Sequence, residues 1–202
     1  MQVLSTRFRY GVVAQAFHWL TAILVIAAYF LGPGGSERRA FSAAMETTRQ
    51  IHEALGVSLF AIVLLRVVWR AFDEDTEHGD MATWMRYSSK FVHVVLYALL
   101  ISIPITAITG TWLQGHPFTI FGIGNVGPFV PLAHDLGTTV MDIHTTLGNV
   151  ILWVAGVHAA ASLVHHFLFR DRVLLSMLPT LTFDNASMSD YVSPTTRFRS
   201  QK

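Results

Sequence analysis

The stretch Met141-Asp-Ile-His144-Thr-Thr-Leu-Gly148-Asn-Val-Ile-Leu-Trp-Val-Ala-Gly156-Val-His158-Ala-Ala-Ala-Ser-Leu-Val-His165-His166-Phe-Leu-Phe-Arg170 decides the fold. Between Asp142 and Arg170 lie twenty-seven residues without a Lys, Arg, Asp or Glu. About 20 apolar residues suffice to cross the hydrocarbon core of a bilayer, so this segment reads as a transmembrane helix. His144 and His158 stand fourteen positions apart within it. That is close to four helical turns and about 21 Å, so the two imidazoles leave from nearly the same face. Ionisable groups inside a span are costly and mark functional sites. Two on one stripe, one near each end, point to two metal centres stacked across the membrane.

The composition agrees. The chain has 202 residues, 52% hydrophobic and 13% charged, with mean hydropathy +0.46. Soluble domains carry about 25% charged residues, so this is a membrane protein, and the reading includes no nucleic-acid partner. With no cysteine, disulfides, iron–sulfur clusters and thiolate zinc sites are excluded. Any metal must then use His, Met, carboxylate or a cofactor, and the ten histidines make imidazole the obvious candidate.

Three further spans follow from hydropathy and breakers. The first runs over about residues 12–31, after the basic arm of Arg7 and Arg9, and ends at Gly32-Pro33-Gly34-Gly35. A signal peptide also starts with a basic arm, but this run is of near spanning length and contains His18, so it reads as a retained helix. The second span covers about 51–68, with His52 at its entry and Arg66 and Arg70 at its exit. The third covers about 91–113 and holds Pro104, where a kink is expected. The fourth covers 143–169. Residues 114–140, rich in Gly, Pro and Phe and free of Lys and Arg, read as a loop or short helix lying on the outer membrane surface. The spans make residues 1–179 one unit, and the polar tail 180–202 reads as disordered. Eleven basic residues fall on the side of the termini and three (Arg38, Arg39 and Arg49) on the other. The positive-inside rule then puts both termini in the cytoplasm. The expected fold is an all-α, integral-membrane four-helix bundle in a bacterial inner membrane.

Depth sorts the histidines into an outer pair, His52 with His144, and an inner set of His18, His93 and His158. The outer level is read as offering two imidazoles and no intramembrane carboxylate beside them. A structural zinc wants four ligands, whereas haem needs only two axial ones, and bundle cores commonly hold such cofactors. A porphyrin also needs small residues beside its ligands. Gly56 and Gly148 follow His52 and His144 at i+4, on the ligand's own face. Ala14 and Ala22 flank His18, and Ala155, Ala161 and Ser162 surround His158. His93 has Leu96 and Tyr97 at those positions, so the inner pair is His18 with His158. Arg7, Arg9, Arg66 and Arg70 are the expected partners of inner propionates and Arg49 of outer ones, since guanidinium suits carboxylates. His78, His116 and His134 read as solvated loop residues. His165 and His166, at the inner end of the fourth span, read as interfacial groups or as neighbours of a propionate or a quinone, with His93 and Lys90 as further inner candidates for the latter.

The chain resembles the bacterial cytochrome b-561 family, within the superfamily of nickel-hydrogenase and formate-dehydrogenase cytochrome b subunits. The resemblance rests on Phe17-His18-Trp19-Leu20, on Ile51-His52 with Gly56, and on His144 with Gly148. It rests also on Gly156-Val157-His158-Ala159-Ala160-Ala161 followed by Val164-His165-His166, and it covers about residues 5 to 179. It implies a four-helix protein with two haem b groups, the inner on His18 and His158 and the outer on His52 and His144, passing electrons to or from quinone. Some members of that family are similar to superoxide oxidases, which reduce ubiquinone with electrons from superoxide. The other readings are a membrane anchor fed by a separate dehydrogenase or hydrogenase subunit, and a histidine-rich metal transporter. The second would favour intramembrane carboxylates.

Overall fold

The computed structural model describes residues 3–6, 9–73, 83–121, 123–171 and 173–178. Arg7, His78, Arg172 and the tail read as disordered lie outside the described residues. Four helices are long and apolar enough to cross a membrane. These are α1 (Val12–Phe30), α3 (Glu46–Phe72), α4 (Thr83–Leu113) and α5 (His134–Val164), the last extended by a π turn over His165–Phe169. Short helices α2 (Glu37–Ala40) and α6 (Val173–Met177) sit at opposite ends of the bundle.

The spans lie where hydropathy places them, but three helices overrun their limits. The helix α3 begins five residues before Ile51, α4 eight before Phe91, and α5 nine before Ile143. Helical hydrogen bonding does not stop at the edge of an apolar window, because polar residues in an end turn face water while their backbone stays paired. Residues 114–133 hold an antiparallel hairpin, β1 (Phe118–Ile120) with β2 (Gly124–Val126), in the register Phe118↔Val126, Thr119↔Asn125, Ile120↔Gly124. The expected surface loop or short helix is therefore a hairpin, and residues 134–140 belong to α5.

The helices pack as two close pairs, α1 with α3 and α4 with α5, joined by lighter contact between α3 and α4. Leu59, Val63, Leu99, Leu100 and Ile151 form the buried aliphatic core, with Leu24 and Val25 of α1 against it. Large apolar side chains elsewhere face outward, as on Phe30, Phe72, Trp153 and Val157. That is the pattern of a helical bundle solvated by lipid rather than water.

The turn from α4 into α5 is tight at one glycine. A Cβ on Gly137 would stand 2.8 Å from the backbone nitrogen of Gln114, close to where the Ala133 N–H donates to the Leu113 carbonyl at 2.9 Å. The backbone cannot yield as a flexible side chain would. Gly137→Ala is expected to destabilise the protein by about 1–3 kcal/mol, the usual range for overpacking, read as a lower midpoint of thermal unfolding in detergent.

Candidate haem sites

Four of the expected histidines meet in two pairs that bridge the two halves of the bundle. At the end bearing α2 and the hairpin, His52 of α3 faces His144 of α5 with ring centres 6.2 Å apart. Toward the end bearing α6, His18 of α1 faces His158 of α5 at 6.3 Å. Two collinear metal–imidazole bonds of about 2.0 Å, with ring centres a further ~1.2 Å behind, separate the centres by roughly 6.4 Å. Both pairs match that span. Ile151 lies seven residues from His144 and seven from His158, so the aliphatic core separates the two levels.

The hairpin-end pair is set for metal by its hydrogen bonds. His52 Nδ1 lies 2.8 Å from the Ala28 carbonyl oxygen, and His144 Nδ1 lies 2.9 Å from that of Ile103. A carbonyl only accepts, so each Nδ1 carries its proton and each Nε2 keeps its lone pair, as in metal-binding histidines. A Cβ built on Gly56 or Gly148 would meet nothing within 4 Å. The space beside each ligand, at the positions expected to admit a flat macrocycle, is open. At the other pair, Arg66 Nη2 approaches His18 Nδ1 at 3.4 Å and its guanidinium lies 5.6 Å from the centre of the Tyr97 ring. Arg66 is thus the arginine beside the His18–His158 pair.

His93 joins this level too, its ring centre 5.3 Å from that of His158 in a T-shaped contact. That is shorter than two rings across a metal require, and it places His93 beside the pair rather than opposite a ligand. Among the described residues no three His, Asp or Glu side chains are arranged to hold a metal ion. The donor set is one of imidazole pairs, which suits haem and not a bare ion.

The remaining candidates have other partners. Arg9 donates to the Leu178 carbonyl at 2.7 Å, and Arg70 lies 4.0 Å from Asp73 with its guanidinium 5.8 Å from the centre of the Tyr10 ring. Arg49 donates to Glu53 at 2.8 Å and lies 4.9 Å from the centre of the Phe41 ring. Glu53 corrects the reading that no carboxylate lies within the span, for it is buried one residue from His52. It turns away from the pair. One oxygen takes Arg49 and the other accepts the Thr119 N–H at 3.0 Å, so it ties the hairpin to α3. His116 and His134, read as solvated, keep side chains 33% and 56% exposed but also share a partner: their Nε2 atoms each contact a separate oxygen of Glu37 at 2.8 Å, and His116 stacks on Phe41 at 3.6 Å. His165 contacts Asp171, whereas His166 Nδ1 is buried without a hydrogen-bond partner among the described residues.

An apolar four-helix bundle with facing imidazoles at two depths defines a membrane cytochrome of the b type. The chain belongs to the prokaryotic cytochrome b561 family, whose model matches residues 9–180, and membership implies b-type haem. It is 27% identical over 194 residues to cytochrome b561 homolog 2 of Escherichia coli K12, covering 95% of this chain and 99% of that protein. It is 28% identical over 175 residues to the probable superoxide oxidase CybB of Yersinia pestis, covering 85% and 96%. Cytochrome b561 homolog 1 of E. coli K12 is 24% identical over 167 residues, covering 80% and 92%.

Proposed function

We propose that residues 1–179 hold two haem b groups, on His52 with His144 and on His18 with His158. The chain then moves electrons across a bacterial inner membrane from an outer donor, superoxide, to ubiquinone, with both termini in the cytoplasm. The observation that carries this is the pair of ring separations, 6.2 and 6.3 Å, at two levels fourteen residues apart on one helix face. Bound haem supplies reversible one-electron chemistry at iron. The chain's own work is to hold, tune and insulate. The Ala28 and Ile103 carbonyls hold the Nδ1 protons of the outer ligands, which fixes each ring's orientation and raises its basicity. With a pair of histidines as its donors, a bound haem would be suited to electron transfer rather than to binding a further ligand at iron. Arg66 is placed to neutralise a propionate at the inner level, and Arg49 is held at the outer level through Glu53. The intervening Leu59, Val63 and Ile151 keep water and ions from the path between levels. The similarity to a probable superoxide oxidase supports superoxide as the donor.

A pyridine haemochrome assay on the purified chain is expected to give two non-covalent haem b per chain, since the absence of cysteine forbids thioether attachment. One haem per chain, or none, would overturn the reading.

A further inference from the structure

The two histidine pairs sit in unlike surroundings. At the hairpin end both rings give their Nδ1 protons to backbone carbonyls, His52 to Ala28 at 2.8 Å and His144 to Ile103 at 2.9 Å. Such bonds raise the basicity of an imidazole ligand, and a more basic ligand favours the oxidised, more positive metal. At the other pair neither His18 nor His158 has a carbonyl on its Nδ1 among the described residues. His18 has Arg66 there instead, Nη2 standing 3.4 Å from Nδ1. A guanidinium only donates and keeps its charge. It adds no basicity to the ring and sets beside it a positive charge, which favours the reduced metal.

The ionised groups point the same way. Arg49, three residues before His52, gives Nη1 to Glu53 at 2.8 Å, so this guanidinium is cancelled by a buried carboxylate. The Thr119 N–H holds the other oxygen of Glu53 at 3.0 Å, and the hairpin thereby fixes the carboxylate against Arg49. Arg66 meets no carboxylate among the described residues, only His18 and, at 5.6 Å, the Tyr97 ring. No Asp or Glu on α5 between Asp142 and Arg170 is there to offset it, and Asp73 at the end of α3 lies with Arg70 at 4.0 Å. One uncompensated positive charge therefore distinguishes the two levels, in an apolar medium that screens it poorly.

We propose that these surroundings order the two haem potentials, the His52–His144 level below the His18–His158 level, with Glu53 holding the lower one down by cancelling Arg49; the proposal rests on the two-haem reading above. An electron entering at the hairpin end then passes downhill to the other level, and no proton need move between them. The direction of flow is set by the chain itself, through hydrogen bonding and fixed charge. Glu53 acts through Arg49, so it is a positioning residue.

The test is a redox titration of the full chain with both haems, followed in the visible region. The unsubstituted protein should show two one-electron waves. Glu53→Gln leaves Arg49 uncompensated and should shift the lower wave upward about tenfold in its equilibrium, about 59 mV for one electron, with the upper wave unmoved. Arg49→Gln leaves the carboxylate instead and should shift the lower wave downward by a similar step. Opposite signs mark an effect of charge, because a structural lesion that admits water would move both variants the same way. Arg66→Gln should lower the upper wave alone. Replacing Arg49 and Glu53 together by Gln leaves no orphan charge and should keep both waves near their original places. Should the single variants at Arg49 or Glu53 fail to assemble, Arg66→Gln decides. The one wave left by His52→Ala should be the upper. Survival of the lower wave there, an upper wave indifferent to Arg66→Gln, or shifts of one sign in Glu53→Gln and Arg49→Gln would overturn the ordering. Two haems of coincident potential in the unsubstituted protein overturn the ordering alone, whereas one haem per chain overturns the reading beneath it.

Discussion

Replacing His52 or His144 with alanine is expected to leave a chain that carries one haem instead of two, and the same haem in either case. The two ring centres stand 6.2 Å apart, and each ring is oriented by a backbone carbonyl on its Nδ1. Removing one would leave a bound haem a single protein donor at that level and a space that alanine cannot fill. His18→Ala or His158→Ala should delete the other haem. His93→Ala should keep both, because its ring stands 5.3 Å from His158, inside the span that two ligands across a metal need. Redox titration in the visible region, with haem-to-protein ratios, checks all five variants: each ligand variant should show one potential rather than two. Loss of a haem on changing His93, with His18 dispensable, would move the inner site onto α4.

The two histidine pairs were legible in the sequence because helical periodicity and span depth are both one-dimensional. A residue's register fixes its face and its distance from the span edge fixes its level, and the two together pair His52 with His144. The four-span bundle was legible for the same reason. What was missed is non-local or lies at an edge. Glu53 lies inside the expected span, two residues past its entry, and was passed over there; α3 begins at Glu46 and buries Glu53 against Arg49 and Thr119. The i,i+4 spacing of Arg49 and Glu53 was the available signal. The shared partner of His116 and His134 was missed because Glu37 is 79 and 97 residues away, and no local pattern announces such a pairing. The hairpin strands, three residues each, are too short for alternation to show. Asp171 reaches His165 only through the π turn and the left-handed Arg170, a backbone path that apolar periodicity does not encode.

Superoxide is expected to reduce the purified, quinone-reconstituted protein, at a rate that falls as ionic strength rises. An anionic donor is drawn to positive charge near its docking point, and steering of this kind raises association rates by about 10-fold or more. In the proposed orientation the outer side has three basic residues, and the structure separates them by availability. Arg49 is 15% exposed and paired with Glu53, so its charge is largely spent on holding the hairpin. Arg38 and Arg39 lie exposed on α2, and the neighbouring Glu37 carboxylate is occupied by His116 and His134. The steering charge is therefore Arg38 and Arg39. The double substitution Arg38→Gln, Arg39→Gln should slow superoxide reduction about 3- to 10-fold at low salt with the haem spectrum unchanged. Raising salt shortens the screening length from about 30 Å at 0.01 M to about 10 Å at 0.1 M. Wild type and double variant should then converge, because screening removes from one what substitution removed from the other. A deficit that persists at high salt would mean that the arginines form part of the docking contact itself. If superoxide reduces neither haem while a co-purifying dehydrogenase subunit reduces both, the outer donor is a protein and the chain is its membrane anchor.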